Sequence, residues 1–126
     1  MPKIRIDKRD TIFSKLIRTR DKWTCQRCGR KYEPGSQGLH CSHFFSRRHR
    51  GTRWSVENAA AHCMGCHAYL GGNPIEFAEW IEAYLGRDRF SQLRMKAMKV
   101  TKFTKADLEW IYQDLKAQLK ELENAY

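Results

Sequence analysis

CQRCGRKYEPGSQGLHCSHFFSRRHRGTRWSVENAAAHCMGCH, residues 25–67, decides how this chain folds. It opens on one Cys-x-x-Cys pair, Cys25 and Cys28, and closes on a second, Cys63 and Cys66. Two thiolate pairs separated by a medium-length insert are what a tetrahedral Zn²⁺ requires. Each pair grips the ion from one tight turn, and four soft sulfurs close its shell. A closed shell leaves no position for a substrate, so this zinc is expected to be structural. Chemistry then falls to the histidines beside the pairs, chiefly His40, His43 and His67.

Outside that stretch, composition sets bounds. At 126 residues the chain is expected to form one compact domain. Within it, residues 1–24 read as a basic arm and first helix, 25–72 as a zinc-braced core, and 73–126 as a helical extension. A core of this size is modest, and a metal brace supports it. Residues 1–10 are charged and carry no apolar signal-peptide segment. No apolar run approaches the roughly 20 residues that span a bilayer. A soluble, cytoplasmic protein with no membrane partner is expected, in the host bacterial cytoplasm if the chain is phage-encoded. Five cysteines in a reducing compartment favour metal over disulfides. Cys41, the odd one, reads as a small buried residue in a strand.

The formal net charge is +10, unevenly spread. Residues 1–31 hold 11 Lys/Arg and 3 Asp/Glu, residues 32–72 hold 4 and 2, and residues 73–126 hold 9 and 9. The positive field therefore belongs to the N-terminal segment and the cysteine/histidine region. Such a surface favours a polyanion, most directly nucleic acid, over the bland alternative of a solvated face.

In chain order, residues 1–9 read as a flexible basic arm. A helix is expected from about 10 to 20, capped by Asp10, with Ile12, Phe13, Leu16 and Ile17 inward and Lys15, Arg18 and Arg20 exposed to bind DNA. Trp23 should tuck under the first zinc turn, where Gly29 lets the backbone bend back toward the sulfurs. Residues 32–38 contain Pro34, Gly35 and Gly38 and read as loop. Residues 39–45 read as a strand with Cys41 and His43 on one face and His40 and Ser42 on the other. A basic loop, 46–51, leads to a returning strand at 52–56, with Trp54 on the core. A short helix is expected to end at Gly71-Gly72. Asn73-Pro74-Ile75-Glu76 is a helix start, running to about 85, with Phe77, Trp80, Ile81, Tyr84 and Leu85 mostly inward. A further helix is expected at about 90–100. Thr104-Lys105-Ala106-Asp107 reads as a capping box opening a last helix to about 123. Its stripe of Leu108, Ile111, Leu115, Leu119 and Leu122 should pack on the chain's own core, a homodimer seam being the alternative.

A strand with a His, a turn, a second strand, an Asn, and a helix with a His after a Cys-x-x-Cys: this order resembles the HNH nucleases, the ββα-metal fold. His43, Asn58 and His67 carry the resemblance. The framing cysteines are similar to those of its zinc-braced branch, which includes phage endonuclease VII. Along nearly the whole chain, "IRTRDKWTCQRCG", "SHFFSR", "RWSVEN", "CMGCHAYLGGNPIEF" and "VTKFTKADLEWI" resemble the phage recombination protein NinG (Rap) family. The resemblance implies an α+β fold, a zinc-braced HNH core with flanking helices. It also implies endonucleolytic cutting of branched DNA such as Holliday junctions, leaving 5′-phosphate and 3′-hydroxyl ends.

Chemistry supports matching roles. A neutral imidazole takes a proton from water near pH 7, so His43 is the candidate general base. A divalent ion, Mg²⁺ or Mn²⁺, would neutralise the scissile phosphate, and His67, rigid beside a zinc cysteine, is its candidate ligand. Asn58 would orient the loop through hydrogen bonds. Arg47, Arg48, Arg50 and Arg53 would hold phosphates. In the common family pattern the residue before the base is an acidic metal ligand, and here it is Ser42. His40 is expected to supply the second ligand instead, which favours Mn²⁺, Co²⁺ or Ni²⁺ relative to a carboxylate site. His49 is open between a phosphate and a metal contact, and His62 between support of a ligand and packing.

Rival readings are weaker. Cys63-Met64-Gly65-Cys66-His67 matches a c-type haem attachment pattern, but that leaves the other Cys pair without a purpose. A thioredoxin-like redox role lacks its βαβ pattern. Two rivals keep the DNA: a sequence-tolerant nicking or restriction-type HNH nuclease on duplex, and a non-catalytic zinc module. Two active sites on opposed strands would imply a homodimer.

Overall fold

The computed structural model describes residues 4–125. Its elements run α1 (Lys8–Arg20), β1 (Leu39–His43), a 3₁₀ turn (Val56–Asn58), β2 (Ala59–Cys63), α2 (Met64–Gly71), α3 (Pro74–Leu85), α4 (Arg87–Met98) and α5 (Lys105–Ala125). This is an α+β domain whose two strands pair antiparallel, and β2 passes directly into α2.

The first helix begins earlier than expected. Asp7, not Asp10, is its N-cap: the Arg9 N–H donates to Asp7 Oδ1 at 2.7 Å, and the Asp7 N–H donates to Asp10 Oδ2 at 2.9 Å. The pair is a capping box with a carboxylate at both positions. It draws Lys8 and Arg9 out of the expected arm and into the helix. Residues 1–3 of that arm lie outside the described residues.

The chain leaves α1 through two residues in the left-handed region, Lys22 (φ 56°) and Trp23 (φ 54°). Left-handed backbone costs non-glycine residues roughly 1–2 kcal/mol each. Hydrogen bonds from the Trp23 N–H to the Arg18 carbonyl and from the Tyr32 N–H to the Trp23 carbonyl, both 2.8 Å, hold the bend. It places Trp23 in a small core with Cys25, Leu39, Ala61, Cys63 and Cys66, as expected for a residue under the zinc turn.

The returning strand is not at 52–56. That segment is turn, and the strand is β2, so Asn58 precedes it instead of following it. Three consecutive alanines, Ala59 to Ala61, make a poor strand signal. They are held extended by tertiary contacts: Arg20 donates to the Val56 and Ala59 carbonyls at 2.6 and 2.8 Å, and Asp21 Oδ2 accepts from the Ala61 N–H at 2.8 Å. All five β2 residues are buried. The register pairs His43 with Ala59 and His40 with His62. Cys41 and His43 therefore share one face and His40 and Ser42 the other, as expected.

The larger core joins Phe13, Leu16 and Ile17 of α1 to Trp54, Ala59, Leu115 and Leu119, with Leu108, Ile111 and Leu122 against them. The α5 stripe thus packs on α1. Its start is the expected reciprocal box: the Thr104 N–H donates to Asp107 Oδ2 at 2.9 Å, and the Asp107 N–H to Thr104 Oγ1 at 3.0 Å. At α3 the expected cap does not form, because Asn73 Nδ2 donates backward to the Tyr69 carbonyl at 2.7 Å. Along α3 Ile81 is buried and Tyr84 is exposed, its ring stacked on Trp80. α4 starts three residues before the expected boundary and ends two before it. Among the described residues no helix is long and apolar enough to cross a membrane.

Asp10 locks this arrangement from inside. Its carboxylate, 7 % exposed, accepts from Arg53 Nε (3.0 Å), Arg53 Nη2 (2.6 Å) and Trp54 Nε1 (3.0 Å) besides the Asp7 N–H. Burial works to raise its pKa, but the Arg53 guanidinium, the Asp7 N–H and the Trp54 N–H outweigh it and hold the carboxyl below the usual range. Removing one partner of a buried pair strands the other charge, so Asp10→Asn should lower stability by about 3 kcal/mol. A depressed folded-state pKa stabilises above the unfolded value near ~4 and fades as pH falls through the folded one. The gap between wild-type and Asp10→Asn melting temperatures should be full at pH 7 and shrink below pH ~4, as read by circular dichroism melts.

Candidate functional site

The four cysteines converge. All Sγ atoms of Cys25, Cys28, Cys63 and Cys66 lie within 4.8 Å of one another, and Cys28 Sγ stands 3.8 Å from Cys63 Sγ. A tetrahedron with Zn–S bonds of about 2.3 Å has an edge of about 3.8 Å, so the donor set and spacing fit zinc. Each pair is bent by its own backbone. The Cys28 N–H points at Cys25 Sγ at 3.5 Å, and the Cys66 N–H at Cys63 Sγ at 3.4 Å, with Cys63 as the N-cap of α2. Gly29, at φ 80°, makes the turn of the first knuckle. Burial opposes ionisation of Cys25, but the N–H groups of Cys28, Cys63 and Arg27 prevail and bring its thiol down to about 7. Burial pushes Cys66 up to about 12, against a hydrogen bond from Arg27 at 3.4 Å. Cys41 takes no part, its buried thiol pushed up to about 12.

Beside this centre lies a cleft of about 670 Å³ whose walls include His40, His43 and His67. The sheet has only two strands, so β1 is an edge, and residues from both of its faces reach the same cleft. His40 and His67 meet at 2.9 Å between their Nδ1 atoms. Two donors that share one cation with bonds of about 2.1 Å stand about 3 Å apart when roughly perpendicular, so the pair fits two positions of a divalent-ion shell. Burial, then His40, lowers the pKa of His67 and keeps it available as a neutral ligand.

His43 is held differently. Its Nε2 lies 3.2 Å from the Arg53 carbonyl oxygen. A carbonyl only accepts, so Nε2 carries the proton and Nδ1 keeps its lone pair. The ring rests on Phe13, centroids 5.3 Å apart. Burial lowers its pKa, and the Arg47 and Arg53 charges add to that against the Arg53 carbonyl. Asn58, fully buried, fixes the surrounding loop: its Oδ1 accepts from the Phe45 N–H at 2.8 Å, and its Nδ2 donates to the Phe45 and Thr52 carbonyls at 2.9 and 3.0 Å.

The cationic residues divide. Arg47 lines the cleft, while Arg48 and Arg50 are exposed along the same loop. Arg53 is 7 % exposed and bound to Asp10, so it belongs to the interior and not to a phosphate-binding surface. Arg20, expected to be exposed, is partly buried and tied to Asp21 and the β2 backbone. Arg18 lines the cleft with its guanidinium 4.8 Å above the Trp23 ring, and Lys15 pairs with Glu123 at 3.5 Å. His49 meets the Ala97 carbonyl at 3.2 Å. His62 is buried against Trp80, ring centroids 4.6 Å apart, its pKa lowered to about 4 by burial and then by His67 and Arg27. Asp10 was legible only as a helix cap; the interval Asp7-x-x-Asp10 is the signal that it does more.

The family model described as "Bacteriophage Lambda NinG protein" matches residues 3–125. No curated protein and no solved structure matches the chain.

Binding at a closed structural zinc site contributes apparent free energies of about 10–16 kcal/mol, as much as a small domain's whole stability. The purified chain should hold about one zinc, and Cys63→Ser should lose both the metal and the cooperative melt. Atomic absorption and circular dichroism on the two proteins check this.

Proposed function

The chain belongs to the bacteriophage lambda NinG family, and from that premise we propose that it is a metal-dependent HNH-type endonuclease of branched DNA such as Holliday junctions. The observation that carries the reading is the tautomer imposed on His43. With Nε2–H held by the Arg53 carbonyl, Nδ1 points its lone pair away from that bond, and the side chain lines a cleft shared with the His40–His67 pair.

In this reading a water attacks phosphorus as its proton passes to His43 Nδ1. The P–O3′ bond breaks and the departing O3′ takes a proton from solvent, leaving a 5′-phosphate and a 3′-hydroxyl. A divalent cation such as Mg²⁺ or Mn²⁺, held by His40 and His67, would supply charge neutralisation at the phosphate. Asn58 positions rather than reacts: it fixes the Thr52 carbonyl, one residue before the carbonyl that orients His43. Arg47, Arg48 and Arg50 line the approach and hold the phosphates on either side of the scissile one. Cutting opposed strands of a junction calls for two clefts, hence a homodimer on the DNA. Its contact would lie elsewhere than the α5 stripe, which packs against α1.

The test is a cleavage assay comparing a four-way junction with a linear duplex of the same arms, in Mg²⁺ and in Mn²⁺. His43→Ala should slow cutting of the junction by about 100-fold or more, the usual contribution of a general base. Equal cutting of both substrates would move the reading to a nicking enzyme, and junction binding without cutting would leave a zinc module. The pH profile has a fixed sign. Neutral His43 is the active form and burial holds its pKa below the ordinary value, so the acidic limb of log kcat/KM should have its midpoint below ~6.5.

A further inference from the structure

The C-terminal third balances its charges overall, yet they are not mixed. Residues 89–106 carry six Lys/Arg, namely Arg89, Arg94, Lys96, Lys99, Lys102 and Lys105, and no Asp/Glu. This run covers most of α4 and crosses to the first turn of α5. Beside it the structure holds a second groove, of about 460 Å³, whose apolar wall includes Trp54, Phe103, Trp110 and Ile111 and whose cationic wall includes Lys96 and Lys99.

Three observations say what suits it. First, Trp110 is 67 % exposed, although most of the stripe on the same helix is inward. An indole left beside Lys96 and Lys99 is a stacking platform within a positive field, the combination that binds unpaired bases and their backbone. Second, the groove continues the cleft. Arg47 lines both the histidine cleft and an intermediate hollow; Arg50 lines both that hollow and this groove. A strand whose phosphate lies at His43 therefore has an unbroken basic path to Trp110. Third, Asp114 is the one carboxylate on the groove wall among the described residues, its Oδ2 accepting from Gln118 Nε2 at 2.8 Å. A carboxylate repels a phosphate and accepts a hydrogen bond from a base edge, so the interior suits a base and the lysine wall its phosphates. Gly51 keeps the wall tight: a Cβ there would stand 2.9 Å from Thr101 Oγ1 and 3.0 Å from the Lys96 carbonyl.

We propose that this groove is a second DNA site, one that takes an unpaired base of a single-stranded segment by stacking it on Trp110 while Lys96 and Lys99 hold the adjoining phosphates. It rests on the DNA reading of the cleft and adds to it a recognition of unstacked bases, such as a branch point exposes, away from the scissile phosphate.

The test separates base from phosphate. Full-length protein is titrated by fluorescence anisotropy with a labelled thymidine oligomer and with an abasic oligomer of the same length and charge. The native chain should prefer the thymidine oligomer by about tenfold. Trp110→Ala should abolish that preference while binding the abasic oligomer as before, and Trp110→Phe should restore most of it. Lys96→Gln with Lys99→Gln should flatten the slope of log Kd against log salt by about 1.4, roughly 0.7 per cation on a single strand. Equal native affinity for the two oligomers overturns the proposal, as does a Trp110→Ala loss that is the same for both. A loss of self-association by light scattering in Trp110→Ala, without a base preference in the native chain, assigns the groove to a second copy and also overturns it. Junction cutting that needs His43 but is indifferent to Trp110, with no base preference, sinks this site and leaves the nuclease standing. A Trp110-dependent base preference without any cutting keeps this site and sinks the nuclease.

Discussion

A carboxylate taken out of water must find donors for its lone pairs, and at Asp10 that requirement organises half the molecule. Arg53 and Trp54 have to reach it, so the loop after β1 must fold back over the start of α1. Once Arg53 is fixed, so is its carbonyl, and that carbonyl sets the tautomer of His43. Asn58 pins the neighbouring Thr52 carbonyl from the other side. The orientation of the candidate base therefore descends from the buried Asp10–Arg53 ion pair. The second half of the cleft descends from the cysteines, because His67 directly follows Cys66 and His40 stands against it. Electrostatics holds one wall and sulfur the other. The cleft runs along the seam between two braces that are nearly independent in sequence.

What could be read from the chain followed from the strength of the local signals. Paired cysteines, the reciprocal box at Thr104 and Asp107, and the leucine stripe of α5 each need only short-range rules, and each is where those rules put it. The returning strand was misplaced because β-propensity points to Thr52, Trp54 and Val56, whereas the ladder selects an alanine run of high helical preference. Tertiary hydrogen bonds from Arg20 and Asp21 decided it, and no window of local sequence contains them. Arg53 misled for a related reason. Among Arg47, Arg48, Arg50 and Arg53 nothing in composition marks the one that faces inward. Its partner lies 43 residues away. The basic run at 89–106 was hidden by summing charge over too long a segment.

Taken together, these features divide the surface by task. The α1 cations differ in their surroundings: Arg20 fastens β2, Arg18 lines the cleft over Trp23, and Lys15 pairs with Glu123 at the surface. A band of cations from the loop after β1, Arg47 and Arg50 among them, runs along neighbouring hollows toward the end of α4.

The alanine strand has a consequence of its own. Ala59 to Ala61, followed by His62, Cys63 and α2, would by local preference belong to one continuous helix. The native state instead breaks the backbone at Cys63, extended before it and helical after it, at the residue that also offers its sulfur to the metal cluster. The segment is locally frustrated, in the sense that its neighbours and its own propensity disagree. Cys63 thus stands where two secondary structures meet: hydrogen bonds from Arg20 and Asp21 hold the extended half, and a metal bound at the Cys63 sulfur would pin the junction between that half and α2.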